Sequence, residues 1–250
     1  MTTPILVFLI LTVAMSVVAG LAAFAIGGAD TFETPRALPL LLVTIWSPNI
    51  AAVIVTLGAG ESVSALLDPL ARNAPLAVWV AALSPLVVAA VVGWRRGMGL
   101  PSLSPTLAVT LVGMNLMMGP LGEEIGWRGF MLPRVADAGL VVAAAAVGVV
   151  WALWHLPLWW LPSPHREIPY PLFFVTVVCF SMTMTALWAA GDGALGPIVV
   201  FHLCANVGVG WLEVSERTDA PTAYRRGLPL HGAIAVAATT WLALGATAPA

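Results

Sequence analysis

"GPLGEEIGWRGF", residues 119–130, places two adjacent glutamates and an arginine inside one of the apolar stretches of this chain. The whole reading depends on whether this stretch is a charged turn at a membrane surface or a buried piece of membrane helix. Its spacing favours the helix. Glu124 and Arg128 are four residues apart and share a helix face, with the acid on the N-terminal side, the better order for an ion pair. Glu123 is turned by about 100° from them, as 3.6 residues per turn requires, and has no partner nearby in sequence. The expectation is a brace, Glu124–Arg128, beside an unpaired carboxylate, Glu123. A helix break at Gly122 with Glu123 facing solvent would defeat it.

The surrounding composition sets the solvent. Of the 250 residues, 60% are apolar and 9% are charged, against about 45–50% and 25% in soluble domains. Mean hydropathy is +0.97. This is a membrane composition, and the net charge of −2 excludes a polybasic nucleic-acid binder. Every basic residue is arginine, and Ala and Val abound, which points to a GC-rich prokaryotic source. Cys179 and Cys204 lie in apolar stretches and read as small core residues. The first apolar run has no basic n-region and is too long for a signal-peptide core, so it reads as a retained span.

A span needs roughly 20 mostly apolar residues. That ruler gives eight stretches, about 4–27, 37–58, 75–94, 107–131, 138–161, 171–190, 194–212 and 228–248. The expected fold is therefore all-α, a polytopic membrane helical bundle formed by a single integral-membrane domain over 1–250, with its motifs in 107–212. "ESVSALLDPLARNAP", residues 61–75, reads as a short interfacial helix with Pro69 as its breaker, or as a polar loop. Counting loop arginines puts Arg36, Arg95, Arg96, Arg166, Arg217, Arg225 and Arg226 on one side and Arg72 and Arg134 on the other, with both termini outside the cytoplasm.

An ionisable residue inside a span costs roughly 2.5–3.5 kcal/mol on insertion scales and faces a bundle interior or wet cavity. Two further groups qualify. In "WALWH", Trp151 and His155 are four apart; in "HLCAN", His202 and Asn206 are four apart near the middle of a span. An aromatic belt and a helix–helix hydrogen bond are the bland alternatives. His165 and His231 read as surface or interfacial, and Asp192 and Glu213 as end charges.

One carboxylate, two imidazoles and a carboxamide make a hydrolytic site in two ways. Glu123, His155 and His202 can bind Zn²⁺ with an open position for water. Alternatively Glu123 takes a proton from a water also held by His155, and His202 and Asn206 donate to the oxyanion. Asn206 is a poor zinc ligand and a natural oxyanion donor, which favours that part of the second scheme. The sequence has no His-Glu-x-x-His, Gly-x-Ser-x-Gly or P-loop motif, and no cysteine pair at metal-ligand spacing.

The three groups, in this order, resemble the CAAX-protease and bacteriocin-processing family of intramembrane peptidases, which includes the type II CAAX prenyl endopeptidases. The family pattern is Glu-Glu-x-x-x-Arg, then Phe-x-x-x-His, then His-x-x-x-Asn or Asp, on successive helices. "EEIGWR" and "HLCAN" are complete here, "GFMLPR" follows the first as in the family, and "WALWH" has Trp151 where Phe is usual. The resemblance implies Glu123 as the water-activating base with His155, His202 and Asn206 as the oxyanion site, and Glu124 with Arg128 as support. In eukaryotic members the cavity opens to the cytosol on the side of the loop between the fourth and fifth spans, opposite to the arginine count.

The expectation is an intramembrane endopeptidase in a prokaryotic plasma membrane, acting on a membrane-associated peptide or protein, lipidated or not, with Zn²⁺ the one cofactor in question. The rivals are a non-catalytic immunity or scaffold protein and a proton-coupled transporter. No damaged motif supports the first and no inverted repeat the second.

Overall fold

A computed structural model describes residues 3–99, 103–216 and 220–249; Arg217 and the side chain of Glu213 fall outside the described part. All regular structure among the described residues is helical. Helices α1 (Thr3–Gly27) and α2 (Leu38–Gly58) pack against each other, followed by α3 (Val63–Ala71), α4 (Leu76–Ala82) and α5 (Ser84–Trp94). Next come α6 (Pro105–Met117), α7 (Pro120–Glu124) and α8 (Leu132–Val135), then α9 (Leu140–His155), α10 (Tyr170–Ala190), α11 (Gly196–Glu216) and α12 (Ala220–Ala243). Helices α9 and α12 flank α10, and α5 lies on α11. Helices dominate for the reason that apolar surroundings leave no other partner for backbone N–H and C=O groups.

Each of the eight expected stretches coincides with helix, but they differ as spans. Five helices are long and apolar enough to cross a membrane, or six if α4 and α5 form one span bent by 42°. The bend follows from Pro85, which has no N–H to continue the ladder. The apolar part of α11, Gly196–Leu212, is shorter, and α12 carries Arg225, Arg226 and Pro229 in its first half. The segment 61–75 does hold a helix, α3, capped by Ser62 accepting from the Ser64 N–H at 3.2 Å. Pro69 does not break it; it sits inside the helix, and its carbonyl accepts from the Leu195 N–H at 2.8 Å.

The fourth span is the one that departs most from a plain helix. It stops at a turn after Met117, restarts at Pro120, and runs through a π-helical turn, Ile125–Met131, into α8. The interruption sits at Gly119, with φ −156° and ψ −91°. A residue before proline is pushed out of the helical region by the pyrrolidine ring, so Gly119–Pro120 ends one helix and starts the next. The continuous helix expected from 107 to 131 is therefore broken. Its break lies ahead of Gly122, and Glu123 stays buried with 4% of its surface exposed. Close packing between α9 and α10 relies on Gly148, where a Cβ would stand 2.8 Å from the Ser181 Cβ.

Candidate active site

The broken span is stapled by α2. Trp46 Nε1 donates to the Met117 carbonyl at 3.0 Å, at the turn where α6 ends. Asn49 Nδ2 donates to the Leu121 carbonyl at 2.6 Å, and Asn49 Oδ1 accepts from the Gly126 N–H at 2.8 Å. One amide side chain thus satisfies a donor and an acceptor that the irregular backbone leaves over, the condition for such backbone at membrane depth. The approach is close enough to require glycine. A Cβ on Gly126 would lie 2.5 Å from the Pro48 carbonyl carbon, and one on Gly122 would lie 2.9 Å from the Trp46 ring. The polar tetrad "WSPN", residues 46–49, stands out in an apolar span and was the sequence signal for this staple, though it was not read.

With the turn fixed, the charged side chains face inward. Glu124 and Arg128 have no exposed surface, and Arg128 Nη1 donates to both Glu124 oxygens, at 3.2 and 3.0 Å. This is the expected i,i+4 brace. Glu124 also does a second job: its Oε1 lies 2.7 Å from His202 Nδ1. His202 therefore engages the bracing glutamate directly, where Glu123 was expected. Glu123 is not without a partner either, because Trp151 Nε1 donates to its Oε2 at 2.6 Å. A charge-assisted bond of that length is a strong one.

Trp151 joins the groups. The Arg128 guanidinium carbon sits 4.2 Å from its ring centroid. Its ring meets His155 and His202 edge-on, with centroids 5.8 and 5.2 Å apart. Its carbonyl lies 2.8 Å from His155 Nδ1, so that nitrogen carries the proton and Nε2 is left as an acceptor. Sequence reading saw in Trp151 only an aromatic wall.

A cavity of about 520 Å³ collects the predicted residues: Glu123, His155, His202 and Asn206 all line it, with Trp151 and Gly119. Glu124 and Arg128 lie behind this wall. At Gly119 a Cβ would stand 2.9 Å from Asn206 Nδ2 and 3.6 Å from His202 Nε2, so the absence of a side chain keeps these two groups accessible. The remaining walls are largely apolar, from α1, α2, α10 and the 156–168 connection.

Two histidines are placed differently from expectation. His165, expected at the surface, lines the cavity, with its ring 6.4 Å from His155 and 5.7 Å from Phe173. Burial pushes its imidazole down to about 4, so it is neutral at neutral pH. His231 is also buried, edge-on to Phe180 at 4.8 Å. The connection between α9 and α10 folds back over the cavity, a tertiary event that loop composition does not reveal. Cys179 and Cys204 are both unpaired thiols.

Among the described residues no three His, Cys, Asp or Glu side chains are grouped so as to hold a metal ion. Glu123, His155 and His202 share a cavity but are not gathered as a ligand set, and Trp151 already engages one Glu123 oxygen. The zinc arrangement does not fit these side chains as they stand.

Comparison with known proteins bears on the same segment. Residues 105–208 match the family model described as type II CAAX prenyl endopeptidase Rce1-like. A curated protein of Methanococcus maripaludis, CAAX prenyl protease 2, is 24% identical over 111 residues, covering 41% of this chain and 41% of that protein. The chain thus aligns with under half of that relative's length. The matched segment contains every predicted site residue, from Glu123 to Asn206.

Proposed function

From the chain's place in the CAAX-protease and bacteriocin-processing family, which both matches support, we propose that it is an intramembrane endopeptidase cleaving a membrane-delivered peptide or protein by a glutamate-activated water. The observation that carries this reading is the convergence of Glu123, His155, His202 and Asn206, from three separate helical segments, on one largely apolar cavity. Such a cavity suits a chain arriving from the bilayer, and its few polar groups stand together as a reaction site does.

The chemistry follows from the hydrogen bonds. Trp151 holds Glu123 Oε2, so Oε1 is the oxygen left to take a proton from water. His155, with its proton on Nδ1, offers Nε2 to hold the same water. Water attacks the scissile carbonyl, and the oxyanion is received by Asn206 Nδ2–H and His202 Nε2–H. To donate from Nε2 while Nδ1 faces Glu124, His202 carries both protons, and the Glu124 carboxylate 2.7 Å away balances that charge. The proton on Glu123 then passes to the leaving amine as the carbon–nitrogen bond breaks. No step is routed through a metal.

The substrate is a peptide at the membrane surface or within it; a prenylated C-terminus is the choice that the archaeal relative's name suggests. The source of that relative, together with the arginine-only, Ala- and Val-rich composition, points to a prokaryotic plasma membrane.

The test uses the full chain in proteoliposomes with a fluorogenic farnesylated CAAX peptide and its unprenylated counterpart. Cleavage by the native protein falls by about 10²–10⁴-fold in Glu123→Ala. Equal turnover by both removes the base assignment. Elemental analysis of the active protein is expected to find no stoichiometric metal; one zinc per chain, lost in His155→Ala, would replace this mechanism with the metal-bound one.

A further inference from the structure

A glutamate facing a cavity of about 520 Å³ has three side-chain torsions and room to use them. As a base it is effective only if one oxygen is held at the water, and small misplacement of a reacting group is costly. The structure supplies a hold that the first motif does not contain. The Trp151 indole is 2% exposed, and its N–H lies 2.6 Å from Glu123 Oε2. The ring is fixed in turn: Arg128 sits on its face at 4.2 Å, and His155 and His202 border it edge-on. The Trp151 carbonyl sets the His155 tautomer.

We infer that Trp151 is a positioning residue for the Glu123 base, holding Oε2 through its indole N–H so that Oε1 alone meets the water. The inference rests on the reading of Glu123 as base and adds a part to it. It also links the two glutamates. Glu124 fixes Arg128, Arg128 carries the Trp151 ring, and Trp151 grips Glu123. Phenylalanine, the usual residue at this place in the family pattern, fills the wall but has no N–H to donate. The tryptophan is therefore a departure that gives this chain a bond the common form lacks.

Trp151→Phe keeps the aromatic face and deletes the donor. In proteoliposomes with the fluorogenic farnesylated peptide, kcat falls by about 10–10²-fold while KM stays within roughly twofold, since the ground-state pocket is unchanged. Unchanged kcat, or a KM increase accounting for the whole loss, overturns the inference. A second measurement needs no substrate. In the ¹⁵N-indole NMR spectrum of the solubilised full chain, the resonance missing from Trp151→Phe is that of Trp151, and its proton moves upfield in Glu123→Ala. A resonance that stays put in an active enzyme overturns the inference alone. A resonance that moves in a protein that cleaves no peptide overturns the peptidase reading, and with it the base that Trp151 would position.

Discussion

The two halves of the fourth span have opposite fates. Helix α6, Pro105–Met117, has no buried residue along its 13 positions. The next twelve positions, 120–131, are nearly all buried, with Glu124, Trp127, Arg128 and Phe130 fully so. The apolar half faces outward and the charged half is enclosed. In lipid, apolar side chains gain little by packing against each other, whereas a charge or an irregular backbone must be taken in by the protein. The polar residues thus direct the burial, and the glycines of "GPLGEEIGWRG" let α2 approach closely enough to achieve it.

That contrast can be broken by substitution, beginning where the enclosure is tightest. Gly126→Ala puts a Cβ 2.5 Å from the Pro48 backbone, which cannot yield as a side chain could; the expected result is failure to recover monodisperse protein from the membrane in detergent. Glu124→Gln leaves Arg128 buried without its counter-charge and costs about 3–5 kcal/mol, read as a lowered midpoint in a denaturation titration. The same change loosens His202, so activity falls further than stability alone would give.

Gly119→Ala tests the enclosed half's chemistry with little effect on its folding. The new methyl meets Asn206 Nδ2 at 2.9 Å and removes it from the oxyanion site. Removing one such donor costs about 10²–10³ in kcat, measured on the fluorogenic peptide with the denaturation midpoint as control. Asn49→Ala strips the Leu121 carbonyl and the Gly126 N–H of their partners and destabilises by about 1–3 kcal/mol for each group left unpaired. On the other half, Val109→Ala changes a residue that is 73% exposed and shifts stability by less than about 0.5 kcal/mol. A large effect there would mean that α6 is covered by something other than lipid.

How much of this was legible varies residue by residue. The Glu124–Arg128 pair was legible because it is local, four residues apart on one helix face. The convergence of Glu123, His155, His202 and Asn206 was legible because charged and polar side chains inside spans must meet something polar. Their pairing was not: His202 meets Glu124, and Glu123 meets Trp151, because the π-helical turn and the Gly119 break set the rotation of the segment. His165 was read as a surface residue because its loop is rich in proline, yet the loop turns back over the cavity. The count of eight apolar stretches locates helices, but five or six are complete enough to span, since Pro85 bends one and arginines head another.

Composition and helical periodicity by themselves determined that this is an all-helical membrane chain and which six polar residues matter. Both are consequences of solvent and of short-range geometry. Only the tertiary structure decided which glutamate is tied to which partner. Those bonds depend on the height and rotation of three helical segments relative to one another, and the staple from Trp46 and Asn49, more than seventy residues away in sequence, sets them.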